Sequence, residues 1–339
     1  MGKVSKAEKP LIGVTMGDPA GVGPEIILKA LSDGTVFSVC LPIIVGDPGV
    51  LNQAAKVVGW QGKIQVISDP LEAEPSVDKL FVISPDALED THFVTGVPTV
   101  EGGRVAARFI AEAVKLTMAG KISGMVTCPI NKAMLNKAGY PYEGHTQMIA
   151  KLTGCESHVM MLAGSRLRVS LVTIHVPLSE VPKLISSERV FDTIAITHAA
   201  LSGDFALPKP RLAVAALNPH GGEEGLFGRE EEEVISPAVM EANSRGMDVQ
   251  GPFPSDTLFW RAAQGEFDAV VAMYHDQGLG PLKLIHFYDA VNVTLGLPIV
   301  RTSVDHGTAY DLAGTGKASH TSLVNALHMA AMIARNRNT

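Results

Sequence analysis

Cysteine is scarce in this chain and badly placed for joint work: Cys40, Cys128 and Cys155 are odd in number, widely spaced and include no C-x-x-C pair. Neither a disulfide framework nor a zinc knuckle is supported, and buried free thiols are the expectation. No apolar stretch approaches the roughly 20 residues that a membrane-spanning helix needs. The opening Met-Gly-Lys-Val-Ser-Lys lacks the apolar segment of a signal peptide and, with lysine at position 6, misses the myristoylation pattern. A soluble, cytoplasmic protein is expected. Basic runs are missing as well, and the formal charge of −7 argues against nucleic acid or an anionic membrane surface as main partner. A small anionic ligand stays open, because it needs only a local cluster of donors.

Several familiar motifs also fail. The turn Gly17-Asp-Pro-Ala-Gly-Val-Gly-Pro24 spaces its glycines as G-x-x-x-G-x-G, not as the G-x-G-x-x-G of a Rossmann fingerprint. A tight strand-to-helix turn accounts for it equally well. Gly314-Thr-Gly-Lys317 resembles the end of a P-loop but has Asp311 where the first glycine belongs and Ala318 where Ser or Thr is required. There is no G-x-S-x-G and no H-E-x-x-H.

What is present is core material: 339 residues, 46% of them hydrophobic, enough for two domains of ordinary size. Leu11–Met16 and Leu41–Val45 read as strands, each followed by Gly-Asp-Pro and a helical pattern, which suggests a parallel α/β sheet. Further strands are expected at Leu80–Ile83 and Gly124–Cys128, and a core helix over Gly103–Ala119 from its apolar stripe. Thr146 is placed either as a helix N-cap or, with His145, as an anion-binding helix start. The acidic run Glu230–Glu233 is expected to open the helix Val234–Arg245 as a solvated face. Gly251–Asp256 reads as a turn-rich loop that either carries Asp256 to the site or makes it an N-cap. A last amphipathic helix is expected at about Ser322 to Arg335.

The stretch Ala269–Lys283 is the most informative: an apolar run halts at His275-Asp276 and glycines. Buried strands of parallel sheets deliver ligand-binding residues at their carboxyl ends. Leu167–Ile174 likewise ends at His175, and Leu212–Leu217 ends in Asn218-Pro-His220. Three strands thus each present a histidine at one edge of a sheet, a pattern suited to a catalytic divalent metal with open coordination positions. Asp276 or Asp256 would orient a ligand or bind a water. Lys283, Asn292, Arg301 and the His145-Thr146 pair are donors suited to a phosphate monoester.

Gly17-Asp-Pro-Ala-Gly-Val-Gly-Pro-Glu25, Gly144-His-Thr146, Asn218-Pro-His220, Met273-Tyr-His-Asp-Gln-Gly278, Asn292-Val-Thr-Leu-Gly-Leu-Pro298 and Arg301-Thr-Ser-Val-Asp-His-Gly-Thr-Ala309 occur in this order over nearly the whole chain. Together they resemble the 4-hydroxythreonine-4-phosphate dehydrogenase family. The resemblance implies an isocitrate/isopropylmalate dehydrogenase-like fold of two α/β/α domains with the active-site cleft between them. The expected division is 1–130 plus 302–339, carrying the NAD loop, and 131–301, carrying metal and substrate. A homodimer would complete each site. His175, His220 and His275 would bind the metal (Zn, Co, Ni, Mg or Mn), with ligands from both subunits. His145, Thr146, Lys283, Asn292 and Arg301 would hold the phosphorylated substrate. His306, Gly307, Thr308, Ala309 and Asp311 would form the adenosine-binding loop, the acid favouring NAD over NADP.

The implied reaction is oxidation of the C3 hydroxyl of 4-phosphohydroxy-L-threonine, as in pyridoxine biosynthesis, to a β-keto acid that decarboxylates. Asp256, Asp276 and Lys283 are the catalytic candidates. Gln147 stands where many members have Glu, and Leu284-Ile-His-Phe-Tyr-Asp289 looks closer to a branch acting on 4-phospho-D-threonate or 4-phospho-D-erythronate, as in D-threonate catabolism. A non-redox alternative is a metal-dependent lyase, or a binding protein, for a phosphorylated sugar acid.

Overall fold

The computed structural model describes residues 9–32, 34–85 and 93–338; residues 1–6, read above for targeting signals, lie outside the described residues. The strands are β1 (Leu11–Thr15), β2 (Leu41–Val45), β3 (Lys63–Val66), β4 (Lys79–Ile83), β5 (Gly124–Thr127) and β6 (Val159–Ala163). They continue as β7 (Arg168–Leu171), β8 (Arg211–Ala215), β9 (Asp248–Phe253), β10 (Ala269–Ala272), β11 (Val291–Leu295) and β12 (Arg301–Ser303). The chain divides into two compact units, 1–155 with 298–339, and 156–297. Residues 131–155 and 298–301 therefore pack with the first unit, where the sequence suggested the second.

In the first unit β3, β4, β2, β1, β5 and β12 lie side by side and all run parallel. β2 is buried along its whole length, as is β5, which is why their sequences read as continuous apolar or small residues instead of alternating ones. The two Gly-Asp-Pro turns follow adjacent parallel strands, as the repeated pattern suggested. After β2, Asp47 caps the helix Pro48–Val58 by accepting from the Val50 N–H at 2.7 Å, and Gly59 ends it in the left-handed region. The expected core helix is present as Val100–Met118, capped by Thr99.

The glycines of the first turn answer to packing. A Cβ on Gly17, whose φ is +75°, would stand 2.3 Å from the Pro129 carbonyl oxygen, and one on Gly23 would stand 2.1 Å from that of Met16. Neither contact is sterically possible, so both positions demand glycine. This is the tight strand-to-helix turn that the failed Rossmann spacing left standing.

In the second unit β7, β10, β8 and β9 are parallel neighbours, whereas β6 runs antiparallel to both β7 and β11. The sheet is therefore mixed, not purely parallel. β7 is shorter than the strand read over 167–174, because Val172 and Thr173 turn to bond the β10 end, Val172 N–H to Ala272 O and Thr173 N–H to Met273 O. Residues 251–253, read as loop, belong to β9. The strands of this unit pack on a core of Leu162, Val169, Leu171, Ala213, Val270 and Leu282, among others.

Cys40 and Cys128 are buried free thiols, as expected, and burial pushes the Cys40 thiol up to about 12; Cys155 is half-buried. Among the described residues no helix is long and apolar enough to cross a membrane.

Candidate active site

The three histidine-bearing strands are neighbours in the order β7, β10, β8 and run parallel, so their carboxyl ends share one sheet edge. His175 lies four residues past β7, His220 five past β8, and His275 three past β10 as the first residue of the helix His275–His286. The rings of His175 and His275 stand 5.6 Å apart between centroids. Two imidazoles sharing one ion at about 2.0–2.1 Å per Zn–N bond would have their centroids roughly 5 Å apart, so this pair has the spacing of two ligands. His275 Nδ1 is 2.7 Å from Asp276 Oδ1. Donation of the Nδ1–H to that carboxylate leaves Nε2 as the lone pair available to a metal, the usual arrangement around bound histidines.

His220 does not join the pair. It sits in the left-handed region at φ 54°, in a loop where Glu223 and Glu224 also have positive φ, and its ring faces Phe227 at 6.2 Å. Among the described residues no group of three or more His, Cys, Asp or Glu is disposed to hold a metal ion. The loop is braced from behind by Glu231, which is 3% exposed. Its Oε1 accepts from the Leu217 and Asn218 N–H groups at 2.8 and 2.7 Å. The acidic run is therefore not wholly the solvated face expected of it; it opens a π-helical turn, Glu231–Ile235, and one of its acids is a structural acceptor.

Asp276 is 90% exposed and is the second residue of its helix. Asp256 is also exposed and lies in the first turn of Ser255–Ala263, whose N-cap position belongs to Pro254, so the capping role proposed for Asp256 is not found. Lys283 is half-buried in the helix that His275 begins, and Asn292 is half-buried in β11.

In the first unit a second set assembles. Arg301 opens β12 and is 3% exposed; its Nη2 donates to Thr127 Oγ1 on neighbouring β5 at 2.8 Å. Burial pushes its guanidinium down to about 9, which still leaves it charged at neutral pH. His145 begins the helix His145–Thr153, with Gly144 at the N-cap and no side-chain cap. Thr146 is thus inside the helix and is not its N-cap, and the first N–H groups are left uncapped by any side chain. His145 is held neutral well below the usual histidine range, by burial first and then by the nearby charge of Arg301, with a smaller effect from Lys132. A hydrogen bond to the Cys128 backbone opposes these, and Nε2 is buried with no hydrogen-bond partner. With Nδ1–H given to the Cys128 carbonyl, Nε2 is an acceptor poised for a hydroxyl or a protonated oxygen.

The loop that follows β12 is tied to the first turn of the chain. Val22 N–H donates to Thr308 O at 3.0 Å, and the Tyr310 hydroxyl donates to Asp18, a fully buried carboxylate, at 2.7 Å. Buried Glu25 accepts from the backbone N–H of Gly314 and, at 2.8 Å, of Gly316. These bonds hold His306, Gly307 and Asp311 exposed to solvent, with Ala309 at φ 43°. Glu25, Thr95 and Gly314 line a small pocket, together with Gln53 and Val57 of the helix Pro48–Val58. Asp18, Glu25, Tyr310 and Lys132 escaped the sequence reading; the Gly-Asp-Pro turn was the one signal that singled out Asp18.

A family model described as pyridoxal phosphate biosynthetic protein PdxA matches residues 38–330. The chain belongs to the PdxA family. It is 53% identical, over 95% of each chain, to a 4-hydroxythreonine-4-phosphate dehydrogenase of Desulfosudis oleivorans. It is 44% identical to a D-threonate 4-phosphate dehydrogenase of Cupriavidus necator, over 97% of this chain and 98% of that one. Among solved PdxA-like structures, the 4-hydroxythreonine-4-phosphate dehydrogenase of Klebsiella pneumoniae superposes with a TM-score of 0.88 at 39% identity, covering 97% of this chain and 99% of that one.

Proposed function

We propose that this PdxA-family chain is an NAD-dependent, divalent-metal-dependent dehydrogenase that oxidises the C3 hydroxyl of 4-phosphohydroxy-L-threonine. The product is a β-keto acid that loses CO2. The observation that carries the reading is the coexistence, in a chain 53% identical to a dehydrogenase named for this substrate, of paired imidazoles in one unit and a buried guanidinium beside an uncapped helix start in the other. The first suits a Lewis acid and the second a phosphate ester.

His175 and His275 would hold the metal, with His220 contributed to the same set by a second subunit in the homodimer that the family resemblance implies. Bound there, the ion would polarise the C3 hydroxyl and make its proton easier to remove. Asp276 fixes the tautomer and orientation of His275. Asp276 or Asp256 would accept the C3–OH proton, and NAD, when bound, would supply the acceptor for the C3 hydride. The C1–C2 bond of the keto acid then breaks, CO2 leaves and C2 takes up a proton.

His145, Thr146 and Arg301 bind the phosphorylated substrate in the first unit, and Lys283 and Asn292 are assigned to it in the second. His306–Asp311 would receive the adenosine end of NAD, with Asp311 as acceptor for the ribose hydroxyls; a small pocket beside Gly314 adjoins that loop.

The 44% identity to a D-threonate 4-phosphate dehydrogenase keeps a second reading, in which 4-phospho-D-threonate or 4-phospho-D-erythronate yields dihydroxyacetone phosphate and CO2. Absorbance at 340 nm with NAD and each of the three substrates separates the two. A rise with none of them would reject the dehydrogenase reading and leave a lyase or a binding protein.

A further inference from the structure

We propose that Lys132 is a further substrate-binding residue, whose ammonium joins the Arg301 guanidinium and the first N–H groups of the helix His145–Thr153 in holding the substrate's phosphate. The inference rests on the phosphorylated-substrate reading and adds to its binding site a residue from a different element, the helix Lys132–Lys137.

Lys132 is exposed, yet its side chain lies across the start of the neighbouring helix: a Cβ on Gly144 would meet Lys132 Cε at 3.3 Å. Its charge is close enough to His145 to help keep that ring neutral. This is an unfavourable place for a cation. The helix N-terminus carries about half a positive charge, and Arg301 adds a full one next to the same imidazole. Among the described residues Lys132 forms no ion pair, and the nearest acid in sequence, Glu143, instead accepts from Gln147 Nε2 at 2.9 Å.

Three positive features therefore surround one imidazole, His145, whose Nε2 is buried and has no hydrogen-bond partner. Such convergence is destabilising when empty and becomes favourable when a dianion enters. A phosphate monoester gains a point-charge donor from Lys132, the fixed donors of Arg301 and the open backbone N–H groups. His145 Nε2, an acceptor, is left for a hydrogen carried by the substrate.

The test is calorimetric titration of the purified full-length holoenzyme with inorganic phosphate, alongside steady-state kinetics. Lys132→Met should weaken phosphate binding by roughly tenfold or more, the scale of one charge-assisted hydrogen bond. Its KM for the phosphorylated substrate should rise with kcat nearly unchanged, and Lys132→Arg should recover most of the loss. The salt dependence of phosphate affinity should also flatten in Lys132→Met. Equal phosphate affinity and equal KM in wild type and Lys132→Met would overturn the assignment, as would a wild type that binds no phosphate. Wild type that binds phosphate through Lys132 but reduces no NAD would instead reject the dehydrogenase reading and leave the anion site in place.

Discussion

His145 is a neutral imidazole by construction, and this gives a pH signature. Its folded-state pKa lies well below the ordinary 6.5, mainly through burial and then through Arg301. In the unfolded chain the ring protonates near the ordinary value, so below it the unfolded state binds a proton that the native state refuses. Stability contributed at this position is therefore present above about pH 6.5 and declines as the pH falls below it, by up to about 1.4 kcal/mol per pH unit. His145→Asn should flatten the dependence of urea midpoint on pH between about 5 and 7 relative to wild type; parallel curves for the two proteins would refute the neutral-histidine account. Asp276 makes a different prediction. If it orients His275, Asp276→Asn should cost tenfold to a hundredfold in metal affinity, roughly the effect of losing such a carboxylate. If it is instead the base, turnover falls with metal content intact, and metal analysis beside kcat distinguishes the two.

Among elements, the helix His275–His286 shows why an element can go unread while its site residues are recognised. Gly278, Gly280 and Pro281 look like loop punctuation, so His275, Asp276 and Lys283 were picked out as site residues without the helix that carries all three. Gly278 is in fact a packing device: a Cβ there would stand 2.6 Å from Val169 Cγ1 and 3.1 Å from Ala272 Cβ, so the helix can lie directly on β7 and β10. Gly23 makes the same point at the first turn, where a methyl group would drive into the Met16 carbonyl. Gly23→Ala should lower stability by about 1–3 kcal/mol, the usual range for overpacking, measurable as a fall in denaturant midpoint with unchanged slope. Tyr310 ties the proposed NAD loop down through a bond spanning 292 residues of sequence, a contact no local pattern encodes. Tyr310→Phe should leave buried Asp18 short of one donor and raise the KM for NAD more than it lowers kcat. Equal KM values would show that the loop holds its shape without the clasp.

Over the whole molecule, what could be read from sequence is what repeats or terminates locally. Apolar runs ending in Gly-Asp-Pro or histidine marked β1, β2, β8 and β10 because buried parallel strands need such residues throughout and polar groups at their ends. The antiparallel β6 and β11 and the buried role of Glu231 were not legible, since pairing direction and burial are set by distant segments. The proposed homodimer belongs to this scale too. Past the end of the helix His275–His286, Phe287 and Tyr288 are 65% and 73% exposed with their rings edge to face at 5.1 Å, and Leu284 on its last turn is 88% exposed. Apolar side chains clustered on so short a segment are costly in water and are typical of the centre of a homodimer interface. A second copy seated on this segment would bury them, and would bring its own histidine to a site that one chain equips with two adjacent imidazoles. Sedimentation velocity should show the wild type as a dimer, and Leu284→Glu with Tyr288→Glu should shift it toward monomer. The monomer should lose turnover and metal affinity together while still binding NAD, because the proposed NAD loop belongs to the first unit and the exposed segment to the second. A wild type that sediments as a single chain, or a monomeric variant with full metal affinity, would place all three metal ligands within one subunit and require the His220 loop to close onto His175 and His275.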